Sequence, residues 1–135
     1  EIGYEISWEV LSAWDYGVAQ KRERVFIVGI RKDLGITFEF PKPLEGDCQT
    51  RVLRDVIGDL PEPEHQDCGK YWAPKNKYNY DQANRIQSMN DPSNTILAHH
   101  NTSQPIHPTE APRRFTVREC LRIQSAPDTY VVPFG

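Results

Sequence analysis

The chain has 135 residues, 38% of them hydrophobic, with eleven prolines and a net charge of −3, enough for one compact unit or two small lobes around a modest core. No stretch approaches the ~20 apolar residues of a membrane span, nothing at the N-terminus reads as a secretory leader, and Cys48, Cys68 and Cys120 sit at unrelated spacings that exclude a disulfide framework and suit a reducing cytoplasm. Charge is segregated: residues 33–67 hold nine acids against Lys42, Arg51 and Arg54, a balance of −6, which leaves +3 for the rest and permits a basic face on an acidic chain.

Tyr4, Ile6, Trp8 and Val10 alternate with Glu5, Ser7 and Glu9, the period-two signature of a strand with one buried face. Beyond a loop through Gly17, the run Val25-Phe26-Ile27-Val28-Gly29-Ile30 is continuously apolar, as expected of a strand covered on both sides. The two are predicted to pair antiparallel through the 12–23 connection. A lone hairpin is marginally stable in water, so residues 1–31 read as part of a larger sheet. Gln20, Arg22 and Arg24 fall at alternate positions entering the second strand. An amide and two guanidiniums pointing one way make a fork for phosphate or base oxygens; the competing reading is a solvated charged turn.

Residues 32–48 are turn-rich, with Pro41 and Pro43 restricting the backbone. Thr50 through Gly58, with Val52, Leu53, Val56 and Ile57 apolar, then predicts a short amphipathic helix ended by Gly58 and Pro61. Between residues 70 and 80, Lys70, Lys75 and Lys77 interleave with Tyr71, Trp72, Tyr78 and Tyr80, either a small aromatic core under a lysine rim or a surface that tracks a phosphate backbone. Ser93 to Ala98 reads as a short strand and 99–112 as a polar loop broken by prolines. Cys48, His65 and Cys68 lack the spacing of a zinc site, and no metal is expected. His107, between Pro105 and Pro108, reads as a packing residue of the loop.

Thr116-Val117-Arg118-Glu119 is a capping box: the threonine hydroxyl accepts the Glu119 amide hydrogen and the carboxylate returns to the Thr116 amide. The helix is predicted to run to about Gln124 and stop before Pro127. Val117, Cys120, Leu121 and Gln124 are placed on its inner face, with Arg118 and Arg122 on the flank.

Two of these stretches, 15–31 with Gln20-Lys21-Arg22-Glu23-Arg24-Val25-Phe26 and 113–128 with Arg113-Arg114-Phe115-Thr116-Val117-Arg118-Glu119-Cys120, resemble in order and separation the eighth and ninth sequence motifs of the cytosine-5 DNA methyltransferases. Relatives usually read Gln-Gly-Phe-Pro where this chain has Gln124-Ser125-Ala126-Pro127, which removes an aromatic packing anchor. The resemblance implies that Arg24 holds the oxygen at carbon 2 of a cytosine flipped out of duplex DNA, supported by Arg22 and Gln20. It implies that Arg113, Arg118 and Arg122 reach phosphate from a helix that mainly organises the recognition region. Residues 84–96 resemble the recognition loop of GGCC-modifying bacterial methyltransferases. Arg85 would suit guanine there, and Gln87 or Asn90 another base edge. His99, His100, Asn101 and Gln104 form a second candidate reader.

The fold so implied is α/β: residues 1–31 are the edge hairpin of a Rossmann-like methyltransferase sheet. Residues 32–112 form a small irregular α+β target-recognition lobe, and 113–135 the motif-nine helix and tail. The implied reaction transfers methyl from S-adenosylmethionine to carbon 5 of the cytosine. No cysteine follows a proline here, and neither Glu-Asn-Val nor Gly-x-Gly occurs. The thiol nucleophile and cofactor turn are therefore expected in an N-terminal catalytic half, joined to this portion or supplied as a separate subunit, and the chain alone is expected to be inactive. The expected partner is double-stranded DNA and the expected setting the cytoplasm of a bacterium or phage host with a restriction–modification system. The alternative is a non-catalytic, sequence-specific DNA-binding module.

Overall fold

A computed structural model describes residues 3–46, 51–62, 86–97, 105–108 and 113–131. Alternating apolar residues build its first feature, a hairpin of β1 (Tyr4–Ser12) and β2 (Glu23–Arg31) paired antiparallel. The register sets Trp8 opposite Ile27 and Val10 opposite Val25. Residues directly opposite share a face, so Tyr4, Ile6, Trp8 and Val10 stand with Val25 and Ile27. This face is open, with Trp8 69% and Ile27 70% exposed. The opposite face meets the following segment, where the Ser7 hydroxyl donates to the Phe38 carbonyl at 3.3 Å. The two-sided cover expected of residues 25–30 is thus missing among the described residues. A 3₁₀ turn at Ala13–Tyr16 leaves β1 and ends on Gly17, whose φ of 79° is the left-handed conformation that glycine adopts without strain.

The rest of the described chain gathers around two short helices. Helix α1 (Leu53–Ile57) lies within the predicted 50–58 stretch and starts after Val52, whose amide hydrogen the Asp55 carboxylate accepts at 2.9 Å. It ends at Gly58, where a Cβ would lie 2.5 Å from the Arg54 carbonyl oxygen. Helix α2 (Val117–Ile123) carries both bonds of its capping box: Glu119 N to Thr116 Oγ1 at 3.2 Å and Thr116 N to Glu119 Oε2 at 2.6 Å. Leu53, Ile57 and Ile123 form the buried core, with Val56, Leu60, Met89, Ile96 and Phe115 against it. The inner face of α2 therefore differs from the predicted one. Ile123 and Glu119 point inward, whereas Val117 is 55% exposed and Gln124 is exposed. The face is set by where α1 lies, and that contact places Ile123 rather than Val117 against Leu53.

Helix α2 closes with a left-handed Ser125 (φ 61°). The Ser125 amide donates to the Arg122 carbonyl and the Ala126 amide to the Leu121 carbonyl, each at 2.9 Å. That pair of bonds is a Schellman ending.

Two readings of the middle change. A two-residue strand, β3 (Ile106–His107), lies within the expected polar loop and pairs antiparallel with β4 (Arg113–Arg114). Ser93 to Leu97 makes no strand. Ser93 alone forms a parallel bridge with Gln20, because the next amide, of Asn94, donates to the Gln87 side chain at 2.9 Å instead of to a ladder.

Candidate nucleic-acid interface

The three residues expected to form a fork are graded in exposure rather than aligned. Gln20 is 1% exposed, and its side-chain amide nitrogen is buried with no hydrogen-bond partner among the described residues. Arg22 is half-buried, and its carbonyl accepts the Ala13 amide hydrogen at 2.9 Å. Arg24 is exposed on β2, and its Nη1 donates to the Glu23 carbonyl at 2.6 Å. Strand alternation begins only at Glu23, so of the three it governs Arg24 alone. Gln20 is held instead by its bridge to Ser93: the Ser93 amide donates to the Ala19 carbonyl at 2.9 Å and the Lys21 amide to the Ser93 carbonyl at 2.7 Å. The Thr95 hydroxyl adds a bond to the Lys21 carbonyl at 2.9 Å.

The candidate reading loop is described from Ile86 onward. Asn90 is exposed at its tip, where its amide donates to the Ser88 hydroxyl at 3.2 Å. Gln87 is 8% exposed and holds the Asn94 amide with its side-chain oxygen. The loop rests on α1, with Leu53 N donating to the Asp91 carbonyl and Arg54 N to the Met89 carbonyl at 3.1 and 2.9 Å. Arg85, His99, His100, Asn101 and Gln104 lie outside the described residues, as do the lysine–aromatic stretch at 70–80, Cys48, His65 and Cys68.

The arginines expected on phosphate are engaged within the fold. Arg113 is 8% exposed; its Nη1 and Nη2 meet the two carboxylate oxygens of Glu119 at 2.9 and 2.8 Å, and its Nε meets Glu62 at 2.9 Å. Arg122 pairs two-pronged with Asp128 at 2.8 and 2.7 Å and also meets Asp59 and the Val56 carbonyl. Arg118 donates to the carbonyls of Asp128 and Tyr130 at 3.3 and 3.2 Å. These bonds tie β4, α2 and the following turn to α1.

Two further residues complete the Arg113 cluster, and sequence reasoning had assigned them only a cap and a packing role. Burial pushes the Glu119 carboxyl up, but the Arg113 bonds and the Thr116 amide outweigh it and hold the group below its ordinary value. His107 Nε2 stands 3.4 Å from Glu119, and its ring packs edge-on to Phe115. Burial holds His107 below its ordinary value, against the pull of Glu119. Burial likewise pushes the Cys120 thiol up to about 11, far from a reactive thiolate. The signal for the cluster was available: one arginine and one glutamate six residues apart, flanking a cap, can close on each other.

The sequence profile of the C-5 cytosine-specific DNA methylase family matches residues 1–135. The chain belongs to this family. Type II methyltransferase M.MthTI of Methanothermobacter thermautotrophicus is 39% identical over 163 residues, covering 97% of this chain and 48% of that protein. M.FnuDI of Fusobacterium nucleatum is 35% identical, covering 96% and 47%, and M.BsuRI of Bacillus subtilis 34%, covering 95% and 33%. The chain thus spans half or less of the curated relatives it matches. Among the described residues of this methylase chain, no group of three or more His, Cys, Asp and Glu side chains could hold a metal, and no helix is long and apolar enough to cross a membrane.

Proposed function

We propose that this chain is the target-reading portion of a cytosine-5 DNA methyltransferase of a restriction–modification system. Its hairpin is the edge of the Rossmann-like catalytic sheet, residues 32–112 are the recognition region, and 113–135 are the helix and tail that brace it. The observation that carries the reading is the splice between residues 19–21 and 93–95. It joins the backbone just ahead of Arg22 and Arg24 to the base of the candidate reading loop. In this reading Arg24, exposed and held among the described residues by a neighbouring carbonyl, meets the flipped cytosine, Arg22 and Gln20 supporting it. Arg85 and Asn90 read base edges, with His99, His100, Asn101 and Gln104 as a second reading stretch. The open apolar face around Trp8 and Ile27 is the surface that the rest of the catalytic sheet covers.

Arg113, Arg118 and Arg122 act first as braces, because carboxylates and carbonyls of the same lobe take up their donors. Grip on the DNA backbone then falls to other cations. S-adenosylmethionine supplies the methyl group, and the residues that bind it and the attacking thiolate belong to the catalytic half. A methyl-transfer assay with the purified chain, the catalytic half, and both together tests this. Transfer to duplex DNA is expected only with both. Transfer by the catalytic half alone, at the same rate and the same sites, removes the reading role. Sequence-specific binding by this chain with no effect on transfer favours the non-catalytic module.

A further inference from the structure

The candidate reading loop is closed at its base by a buried side chain. Gln87 Oε1 accepts the Asn94 amide hydrogen at 2.9 Å across seven residues, and the Gln87 amide donates to the Ile106 carbonyl at 2.9 Å. Between those ends the chain winds over Ser88, whose hydroxyl and carbonyl accept the amides of Asn90 and Asp91 at 3.2 Å each. Asn90 is left exposed at the tip. One residue before Asn94, the fully buried Ser93 bonds to Ala19 and Lys21, and Thr95 bonds to Lys21 again. Arg22 and Arg24 follow at once. Hydrogen bonds joined by short stretches of chain therefore link the loop tip to the arginine stretch, and Gln87 is the side chain that closes the loop end of that link. A buried glutamine whose oxygen is committed to the backbone is poorly placed to read a base.

We infer that Gln87 is a positioning residue that fixes the loop tip in register with Arg22 and Arg24, so that a matched base pair at the tip is felt at Arg24, which meets the cytosine. The inference rests on the function proposed above. Without the Gln87 oxygen the Asn94 amide loses its partner and the two loop ends can part. The tip then keeps its side chains but loses its fixed distance from Arg24. Coupling through a contiguous network is established by non-additivity, not by proximity.

The experiment is a double-mutant cycle in the complete methyltransferase. Single-turnover rates are measured for Asn90→Ala, Arg24→Ala and the pair, in the wild-type and the Gln87→Met backgrounds. In the wild type the paired loss is expected to differ from the product of the single losses by about fivefold or more. With Gln87→Met that departure collapses to within about twofold, the rate ratio between matched and single-mismatch duplexes shrinks, and the DNA dissociation constant stays nearly the same. Thr95→Val, which cuts the splice from its other side, is expected to do likewise, and it decides the matter if Gln87→Met does not fold. Intact non-additivity in a folded variant overturns the inference, as does a change of preference at one base pair with the cycle preserved, which would make Gln87 a reader. If neither Asn90→Ala nor Arg24→Ala alters the rate in the wild type, the proposed function itself fails.

Discussion

Arg113 and Glu119 face each other in a two-pronged ion pair that is almost wholly enclosed, their side chains 8% and 3% exposed. The pair links β4 to the first turn of α2, and the same carboxylate completes the helix cap. Two charges taken out of water attract strongly but lose their hydration, so such a pair adds little net stability while the loss of one partner is severe.

Glu119→Ala should therefore destabilise the protein by about 2–4 kcal/mol, since it takes the two-pronged partner from a buried guanidinium, leaving it Glu62 and the Arg114 carbonyl, and removes one cap bond. Replacing both residues, Arg113→Met with Glu119→Leu, should cost distinctly less than Glu119→Ala alone. Urea midpoints of the three forms check this; equal losses for the single and double variants would mean that the charge is not what matters.

Stability should fall on acidification. Glu119 and His107 are both held below their ordinary values of 4.5 and 6.5, the first against burial by Arg113 and Thr116, the second by burial. Between the unfolded and folded values the unfolded chain binds a proton that the folded chain does not, which favours unfolding as pH drops. The contribution of His107 is complete above its ordinary value and begins to be lost below it. That of Glu119 starts to go below about 4.5 and is lost as pH falls through the folded value. Urea midpoints from pH 8 to 4 should decline in that order, and His107→Gln should flatten the upper part of the curve.

Ser125→Gly should stabilise the protein by about 0.5–1 kcal/mol. A side chain in the left-handed region costs about 1–2 kcal/mol, which glycine avoids at the expense of a more flexible unfolded chain. A rise in melting temperature, with a fall for Ser125→Val, is the expected result. No rise would indicate that the serine hydroxyl compensates locally.

The arginines should divide by function. In the complete enzyme, Arg24→Ala should lower turnover about 10–100-fold with the choice of sites unchanged, as the proposed charged hydrogen bond to the seated base requires. Arg122→Ala should lower stability yet leave the salt dependence of DNA binding as it was, because its donors serve Asp128 and Asp59. Dissociation constants at two salt concentrations separate the cases; a slope reduced by about one identifies a phosphate contact.

Local patterns were readable where the bond partners are close in sequence. The hairpin follows from alternation along Tyr4–Val10 and an apolar run after Arg24, and the cap from Thr116 and Glu119 three residues apart. The inner face of α2 was not readable, because it depends on Leu53 and Ile57, more than sixty residues away. Nor was the fate of Ser93–Leu97, which looks like a strand until Asn94 gives its amide to Gln87. The placement of Gln20 follows the same rule: its fork-like spacing with Arg22 and Arg24 presumes a strand that starts three residues too early, and Ser93 buries it instead.

The open face of the hairpin bears on how such a chain can be handled. Six large apolar side chains, from Tyr4 at 47% to Ile27 at 70% exposure, lie together in a band on two strands. Water tolerates scattered apolar residues, but a contiguous band attracts whatever apolar surface is nearest, and a two-stranded sheet also offers unpaired edges. Produced on its own, the chain should self-associate through this band. Synthesis alongside the catalytic half proposed to cover it, or detergent at low concentration, should keep it monodisperse.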